Sequence, residues 1–453
     1  MNLIIEKKEN FASVLILVVI VYICFYNIMH YDPIQGYDAE GHYAYVDYLS
    51  RYLPDNIKLP SAEHSREFFN PPIAYIVPSI AQVVCRNIIV SSDLLTDCKF
   101  YYGITLQAFQ FLLYLLTLFF NLKTVQIFTN SSRLLNFEYL LMSSLLAVNY
   151  KTISMLRGEP YILFFLSVLL YKFVLFDNKI FQISKFEKFQ FGLIIGCLAL
   201  SRQWAFLIFP SFFVLIFYIN KNERNRYLKF LLTSFSIGFI SSAWFYFNLY
   251  FKYGSFTAFN KIPQSFRLSN QPLNFYFPSL NDIYLVFTNP IRPNFSNQFI
   301  SILYSDTWGD YWGYFVFTSR ELSTGRNQEL IGQYLARVNI FSLPFTIFLL
   351  VSYFLVRKLY ANSNLIKFIR LSILISLIGY LWFLVTYPDF PTGDTNKGSY
   401  IIQVINLSVL LSAVVVKKLK KNYNRSYNYF IIYLIILFVH NFSSYISHFP
   451  FRF

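Results

Sequence analysis

Charged residues are scarce in this sequence. Asp, Glu, Lys and Arg make up 13% of its 453 residues, whereas 56% of the residues are hydrophobic. Soluble domains carry roughly 25% charged residues, about twice this share. Apolar runs long enough to cross a bilayer recur along the whole chain. The lack of charge therefore excludes an ordinary soluble domain and predicts an all-α polytopic membrane protein.

Cysteine is also scarce, and the sequence has neither an internal repeat nor a low-complexity tail. The four cysteines have no metal-ligand spacing, which argues against a structural zinc site or a redox motif: Cys24, Cys85, Cys98 and Cys197. Cys85 and Cys98 are expected on the same side of the membrane. They either form a disulfide or remain free thiols, since the sequence does not fix their distance.

Acidic residues are fewer than basic ones, at 23 against 38, which gives a formal net charge of +15. In a soluble protein this excess would suggest a nucleic-acid partner. Here the Lys and Arg residues fall between apolar runs, where they set the topology and contact lipid headgroups. The expected partner of the basic residues is therefore membrane lipid, and no nucleic acid is expected.

The apolar runs predict a bundle of about eleven transmembrane helices. The first run follows a short charged segment and has no small-residue cleavage site, so it is expected to be an uncleaved first span. The predicted spans lie near 11–29, 102–121, 136–150, 159–176, 189–201, 204–219, 228–250, 335–356, 366–387, 400–416 and 427–446.

One further apolar run, 71–84, is short and contains three prolines. If it crossed the membrane, every later loop would change sides and the KKLKK run at 417–421 would face outward. If it does not cross, and the N-terminus is cytoplasmic, the basic loops all lie inside, as the positive-inside rule requires. We therefore expect 71–84 to lie in the interface. The short outside turns then hold few basic residues: Lys151, Arg157, Arg202 and Lys397.

This topology predicts three parts. Residues 1–250 form an N-terminal transmembrane module that includes a first external loop, 30–101. Residues 251–334 form a second large external loop with interfacial helices, and residues 335–453 form the C-terminal transmembrane helices. The aromatic residues of the loops fit an interfacial belt.

A polar cluster directly follows the first span. Residues 36–49, GYDAEGHYAYVDYL, place Asp38, Glu40, His42 and Tyr43 within a few positions. One interpretation is a polar turn that ends the first helix, and the other is a catalytic carboxylate at the water boundary. Ionisable residues at membrane depth are costly and therefore indicate a functional site. The predicted topology gathers the polar Asn70 and more ionisable groups on the outer side: Arg66, Glu67, Arg157, Glu159, Arg202, Asp306, Asp310, Asp394 and Lys397.

Acids and bases gathered at this depth suit one kind of chemistry. A carboxylate within hydrogen-bond reach of an acceptor hydroxyl can act as its general base. Arg and Lys side chains stabilise the negative charge that develops on a phosphate leaving group. A phosphate carried by a lipid would lie at this depth, with its tail between the helices.

The cluster resembles the first external loop of the GT-C class of integral-membrane glycosyltransferases, the group of protein O-mannosyltransferases and lipid A aminoarabinose transferases. In that class an Asp-x-Glu is followed by an aromatic-rich helix. The resemblance implies that Asp38 is the catalytic base, that Glu40 assists it, and that His42 and Tyr43 line the substrate. Residues 70–75, NPPIAY, resemble the His/Gln/Lys-Pro-Pro-Leu-x-Tyr element that follows, which implies that Asn70 lines the substrate, although Asn70 stands where the class has His, Gln or Lys and carries no charge itself.

Three later landmarks carry the same resemblance. Glu159 in RGEP corresponds to a second acidic residue, which would orient the acceptor. Arg202 corresponds to the Lys or Arg that meets the lipid phosphate, and GDTNKGSY at 393–400 places Lys397 and Tyr400 in a late phosphate-binding element. The segment around WGDYWGY resembles substrate-lining loops, which implies that Asp306 and Asp310 line the substrate. Metal dependence varies in the class; a divalent cation, if bound, would be expected at Asp38 and Glu159.

The resemblance implies an inverting hexosyl- or pentosyltransferase. The donor would be a polyprenyl-phosphate-linked sugar, and the acceptor a hydroxyl of a glycan, a lipid or a protein. We expect a bacterial plasma membrane with the site on its outer, periplasmic face, and a role in cell-envelope glycosylation. A lipid-linked saccharide flippase is disfavoured because the charges lie at the outer boundary and no repeat is present. An O-antigen ligase or polymerase stays open.

Structural roles are alternatives for several of these residues. Arg202 can extend its charged end to the interface from a helix hairpin. Glu159 followed by Pro160 also makes a favourable helix start, because an acid suits the positive end of the helix dipole and proline suits the first turn. His42 can be a packed core residue.

Overall fold

The computed structural model describes residues 2–89, 98–131, 134–316, 326–449 and 451, and the regular structure within these ranges is helical. Short 3-10 turns join the α-helices at several points. The α-helices are α1 (Asn2–His30), α2 (Ala39–Ser50), α3 (Ile73–Val84), α4 (Cys98–Phe128), α5 (Phe137–Ser144), α6 (Ala147–Ser154), α7 (Glu159–Asn178), α8 (Lys185–Ala199), α9 (Phe209–Leu215), α10 (Lys221–Tyr253), α11 (Leu273–Tyr276), α12 (Leu280–Val286), α13 (Phe299–Trp308), α14 (Arg326–Leu359), α15 (Asn364–Thr386), α16 (Ile402–Asn422) and α17 (Asn424–His440).

Local side-chain caps fix where several of these helices begin. Asn136 accepts a hydrogen bond from the backbone N–H of Tyr139 at the start of α5. Ser184 and Glu187 form a reciprocal capping box at the start of α8. Ser363 caps α15 in the same way as Asn136 caps α5. These caps satisfy N–H groups that the helix itself leaves unpaired, so they end the polar loops at defined positions.

Seven helical segments among the described residues are long and apolar enough to cross a membrane. This confirms the predicted all-α polytopic class. The other four predicted spans fall on shorter helices: 136–150 on the broken pair α5 and α6, 189–201 on α8, 204–219 on α9 with its flanking 3-10 turns, and 427–446 on α17. The seven segments are Glu9–His30, Cys98–Phe128, Glu159–Asn178, Lys221–Tyr253, Ile331–Leu359, Asn364–Thr386 and Gly398–Asn422.

The run at 71–84 is not among these seven segments. It forms α3, whose 12 residues give a length of about 18 Å, less than the roughly 30 Å of a bilayer core. α3 packs between α2 and α4, where the Ser79 hydroxyl donates to the Val46 carbonyl at 3.2 Å. A disulfide joins Cys85, just after α3, to Cys98 at the start of α4, which settles the alternative that the sequence left open.

The predicted second external loop, 251–334, is partly built into the bundle. Helix α13 packs against α6, α14 and the 3-10 turn Gly398–Ile401. Helix α14 begins at Arg326, inside the predicted loop, because its polar first turns extend a helix whose apolar part alone was visible in the sequence. Part of this segment therefore forms a wall of the bundle interior.

The basic segments meet at one end of the bundle. The Lys420 ammonium at the end of α16 contacts Glu9 of α1 at 2.6 Å and Glu138 of α5 at 3.1 Å. At the same end, Asn364 at the start of α15 donates to Asp177 in the last turn of α7 at 2.7 Å. Because the helices alternate in direction, the loops that carry the acidic and basic landmarks of the GT-C resemblance meet at the opposite end.

Candidate active site

A cavity of about 200 Å³ lies at that opposite end. Its wall combines residues that follow α1 with residues from the loops between α2 and α3, after α10, around α13, and between α15 and α16. Acidic and basic side chains are equally represented. The lining residues are Tyr37, Asp38, Arg66, Glu67, Phe69, Phe259, Asn260, Lys261, Arg292, Trp312, Tyr314, Asp389, Asp394, Thr395, Lys397 and Tyr400.

Asp38 faces this cavity because of its backbone conformation. It is the residue before α2 and has a left-handed conformation, φ 53°, which Asp adopts more readily than most residues. Its carboxylate makes no capping bond to the helix. Instead Oδ1 lies 2.9 Å from Arg66 Nη2 and Oδ2 lies 3.3 Å from Lys397 Nζ, and 21% of the side chain is exposed.

The charges around Asp38 keep its carboxyl group ionised. Lys397 lowers the pKa of Asp38 most strongly; Arg157 and Arg66 lower it further, against burial, which raises it. The net result is an Asp38 pKa well below the ordinary range for aspartate. The candidate base is therefore an anion held between two cations before any substrate is present.

Lys397 and Tyr400 lie together on the cavity wall, as the GDTNKGSY resemblance implies. The Lys397 ammonium is 3.5 Å from the Tyr400 hydroxyl and 4.7 Å from the centre of the Tyr37 ring. The Lys397 backbone N–H donates to the Tyr380 hydroxyl at 2.9 Å. The Tyr400 ring stacks on Trp204, with ring centres 4.6 Å apart. Aromatic packing thus fixes both residues beside Asp38.

Arg202 and Glu159 lie behind the cavity wall. Arg202 Nε is 3.5 Å from Glu159 Oε1, and both side chains are buried. Arg157 joins this layer and donates from Nη2 to the Tyr37 carbonyl at 3.0 Å. Gly158 allows the close approach, since a Cβ there would lie 2.3 Å from the Ser201 carbonyl oxygen. The structure therefore brings Glu159 and Arg202 together, one layer beneath Asp38.

His42 and Asn70 also lie behind the wall, where they hold Glu67. Asn70 Nδ2 donates to Glu67 Oε2 at 2.5 Å, and His42 Nε2 lies 3.9 Å from the same oxygen. His42 Nδ1 is hydrogen bonded to the Tyr75 hydroxyl at 2.7 Å. Burial, together with Arg157 and Arg202, lowers the pKa of His42, so its ring is neutral at pH 7. Burial raises the pKa of Glu67.

Glu40 and Tyr43 occupy neither the cavity wall nor the layer behind it. The Glu40 side chain is exposed on α2. Tyr43 is half-buried and packs edge-on against Tyr102, with ring centres 5.2 Å apart. Both residues lie on α2, whereas Asp38 precedes the helix in a left-handed conformation, with its carboxylate beside Arg66 and Lys397.

Asp306 and Asp310 are fully buried and are not among the residues that line the cavity. Asp306 pairs with the buried Lys151 and accepts a hydrogen bond from the Gly398 backbone N–H at 2.7 Å. Asp310 accepts from the backbone N–H groups of Phe315 and Val316, both at 2.8 Å. Their oxygens bind the protein itself, so these residues shape the loops around the cavity.

Several residues that line the cavity were not predicted from the sequence. Tyr37 packs edge-on against Tyr314 at 4.7 Å, and the Arg292 guanidinium lies 5.8 Å from the centre of the Trp312 ring. On another part of the wall, Lys261 pairs with Asp389 at 2.5 Å. Trp312 and Tyr314 belong to the segment around WGDYWGY, from which only the acidic residues were expected to line the substrate. Lone loop residues such as Lys261 carry no comparable signal.

The site does not fit a divalent cation. Among the described residues, no group of three or more His, Cys, Asp and Glu side chains is placed to hold a metal ion. The nearest charged partners of Asp38 are Lys397 and Arg66, and the partner of Glu159 is Arg202. These cations lie beside three of the four carboxylate oxygens of Asp38 and Glu159, which disfavours a metal ion at either residue.

Comparisons with known proteins give a likeness of fold. No protein-family model and no curated protein matches the sequence. The crystal structure of the Archaeoglobus fulgidus oligosaccharyltransferase with Zn and sulfate aligns with 96% of this chain and 54% of its own, at 13% identity and a TM-score of 0.50. The oligosaccharyltransferase AglB of that organism, with an inhibitory peptide and a dolichol-phosphate, aligns with 97% of this chain and 56% of its own, at 13% identity and a TM-score of 0.49.

The likeness is limited in two ways. Identity this low shows the fold alone, and the chain spans about half the length of the solved structures it resembles. Oligosaccharyltransferases of this kind belong to the GT-C glycosyltransferases. The comparisons therefore show that this chain shares the fold of these membrane enzymes.

Proposed function

We propose that this protein is a glycosyltransferase that moves a sugar from a polyprenyl-phosphate-linked donor to an acceptor hydroxyl, with inversion, at the outer face of the membrane. The observation that carries the proposal is the ionised Asp38 held by Lys397 on the wall of a cavity. A base beside a cation that can bind phosphate is what such a transfer requires. The GT-C-like fold adds support at the level of class.

Asp38 acts as the general base in this mechanism. It accepts the proton of the acceptor hydroxyl while the hydroxyl oxygen attacks the anomeric carbon. The bond between that carbon and the phosphate oxygen breaks, and its electron pair stays on the lipid phosphate. Lys397 stabilises this developing charge, with Tyr400 beside it. One displacement of this kind inverts the configuration at the anomeric carbon.

The Asp38–Lys397 pair opens when both substrates are bound. In an inverting displacement the attacking oxygen and the leaving group lie on opposite faces of the sugar, so the base and the phosphate ligand are separated by the sugar ring. Lys397 then turns from the Asp38 carboxylate to the donor phosphate. Arg66, whose side chain is 62% exposed, has room to follow. Losing these cations raises the pKa of Asp38 and makes it a better base.

The remaining charged residues act at longer range. Arg202 and Arg157 lie behind the cavity wall and add positive potential beneath the phosphate. Glu159 holds Arg202 in place. Glu40, exposed on α2, remains a candidate contact for the acceptor, which is a glycan, a lipid or a protein.

The test is Asp38→Asn in the full chain, supplied with a panel of polyprenyl-phosphate sugars in lipid vesicles. Loss of a general base lowers turnover by about 10²–10⁴-fold. Asp47→Asn is the matched control. Asp47 lies on α2, is 21% exposed like Asp38, and pairs with Arg51 and Arg86 away from the cavity.

We expect Asp47→Asn to transfer sugar at close to the unmodified rate. Near-normal turnover in Asp38→Asn, on a donor that the unmodified protein uses, would refute the assignment of Asp38. Movement of the lipid-linked sugar across the vesicle membrane without a new glycosidic bond would refute the transferase itself and favour a transporter.

A further inference from the structure

The four cations that line the cavity differ in their partners. Lys397 and Arg66 share the Asp38 carboxylate, and Lys261 pairs with Asp389. Arg292 is the fourth. Its guanidinium makes no ion pair and no hydrogen bond with any residue that the structure describes. An Arg side chain that faces a cavity without an acid is equipped to bind an anion, because its planar fork matches phosphate and carboxylate groups.

The surroundings hold Arg292 in this position. Its guanidinium carbon lies 5.8 Å from the centre of the Trp312 ring and 6.0 Å from that of Tyr314. Its backbone N–H donates to the Tyr311 carbonyl at 3.0 Å. Two aromatic faces and a fixed backbone reduce the number of conformations of a long side chain, so less entropy is lost when it binds a ligand.

Arg292 belongs to the same cavity wall as Asp38 and Lys397. The Trp312 indole N–H donates to the carbonyl of Asn396, the residue before Lys397, at 3.2 Å. Tyr314 packs edge-on against Tyr37, the residue before Asp38, at 4.7 Å. The two rings that contact Arg292 therefore also contact the segments that carry the candidate base and its cation.

The acids on the wall leave room for an anion at Arg292. Asp389 is neutralised by Lys261. Asp38 and Glu67 lie on the part of the wall that Arg66 and Lys397 occupy. Asp394 is exposed to solvent, where water screens its charge.

We propose that Arg292 is a second anion-binding point of this cavity, which binds a negatively charged group of the donor other than the phosphate held by Lys397. The group is a phosphate or a carboxylate. It would belong either to a diphosphate linkage or to an acidic sugar. This inference rests on the proposed function, because it takes the ligand of the cavity to be a lipid-linked sugar.

The experiment measures binding to the purified full chain with two pairs of probes. One pair is polyprenyl phosphate and polyprenyl diphosphate of equal chain length. The other is polyprenyl-phosphate-linked glucose and its glucuronic acid counterpart. Arg292→Gln is compared with Arg267→Gln, which removes the same charge from an exposed position of the same segment, outside the cavity lining.

We expect Arg292→Gln to weaken binding of the more anionic probe of one pair by about tenfold or more. Binding of the less anionic probe of that pair should weaken by less than about twofold. Selective loss of the diphosphate identifies a second phosphate, and selective loss of the glucuronate identifies a sugar carboxylate. Arg292→Lys keeps the charge without the fork and should restore part of the affinity.

Equal loss for all four probes, no loss for any of them, or the same loss in Arg267→Gln would overturn the proposal. Binding is measured without turnover, so the outcome is separable from the test of the base. A selective loss in Arg292→Gln stands even if Asp38→Asn transfers sugar normally. Conversely, if Asp38→Asn is inactive and Arg292→Gln changes no binding affinity, the assignment of Asp38 as the base stands and only the proposal for Arg292 fails.

Discussion

The Asp306 carboxylate accepts a hydrogen bond from the backbone N–H of Gly398 at 2.7 Å. The same carboxylate accepts from the Tyr37 hydroxyl at 3.2 Å and pairs with the buried Lys151. Gly398 follows Lys397 in the chain, and Tyr37 precedes Asp38. One fully buried acid therefore contacts the immediate neighbours of both members of the Asp38–Lys397 pair, which identifies Asp306 as a residue that positions them.

Asp306→Asn should lower turnover at least tenfold, because a misplaced catalytic group loses rate steeply. It should also destabilise the protein by about 3–5 kcal/mol, since the buried Lys151 loses the nearer of its two acidic partners and keeps only Asp310, at 3.9 Å. Adding Lys151→Met removes the weakly paired lysine charge, and Asp310 keeps its hydrogen bonds from the backbone N–H groups of Phe315 and Val316. The double variant should recover thermal stability in detergent but not turnover, measured under identical conditions.

Asp310→Asn serves as the comparison. Asp310 is as buried as Asp306 and lies 3.9 Å from the same Lys151, but it accepts hydrogen bonds from the backbone N–H groups of Phe315 and Val316 instead of residues beside the pair. It should lose stability with less effect on the rate. If the Asp306 and Lys151 double variant recovers both stability and turnover, Asp306 has a purely structural role.

The disulfide between Cys85 and Cys98 should stabilise the helices that support the site. It closes a short loop, with a sequence separation of 13, between α3 and α4. In the chain-entropy model, a disulfide that closes a loop of this size stabilises the folded state by about 3 kcal/mol. α3 carries Tyr75, which holds His42. Replacing both cysteines with serine should therefore lower the unfolding temperature, measured by differential scanning fluorimetry.

Cys197→Ser is the control for this change, because Cys197 is a free cysteine. Its replacement should leave the unfolding temperature nearly unchanged. A reducing agent should lower the temperature of the unmodified protein and of Cys197→Ser alike, and should not affect the double serine variant. Equal unfolding temperatures for the double serine variant and the unmodified protein would contradict a stabilising role.

The sequence predicted the parts of this molecule that depend on local pattern. Seven apolar segments coincide with predicted spans, because the bilayer imposes a length that can be counted. Asp38, Lys397 and Tyr400 carry motifs in a recognisable order, and the structure gathers them on one wall. The assignment of a catalytic role to Asp38 is still a prediction.

What the sequence missed depends on distances between remote segments. Asp306 and Lys151 are 155 positions apart in the chain, and no sequence pattern at either position predicts that they form a buried pair. Arg292 stands out only because every other cation on the wall has an acid beside it. The break between α5 and α6 is similar, since the apolar run 136–150 continues through it without a proline or glycine.

Chelation should leave the transfer reaction intact. The carboxylates expected to bind a metal ion, Asp38 and Glu159, instead face Lys397, Arg66 and Arg202. A dication among these three cations would be repelled. Turnover measured after treatment with EDTA should therefore change by less than about twofold, and adding Mg²⁺, Mn²⁺ or Zn²⁺ back should not increase it. A large loss that one of these ions reverses would contradict the charge arrangement.

The pH at which kcat/KM falls on the acidic side should depend on the ion pair between Asp38 and Lys397. Lys397 lowers the pKa of Asp38, so the ionised base persists as the pH falls below the ordinary aspartate pKa of about 3.9. In kcat/KM, which reflects the free enzyme, the unmodified protein should show no acid limb down to about pH 4. Lys397→Met removes the largest favourable interaction of the Asp38 anion and should move the limb to higher pH.

Measuring the residual activity of Lys397→Met across the same pH range separates two roles of the lysine. If Lys397 only binds the donor phosphate, its loss lowers the rate equally at all pH values. If it also holds Asp38 ionised, the rate falls further at acidic pH than at neutral pH, because burial then raises the pKa of Asp38 unopposed by its main cation. Arg66→Gln should shift the limb less, since Arg66 is more exposed and water screens its charge. An acid limb that stays in place in Lys397→Met would show that the ion pair does not control the base.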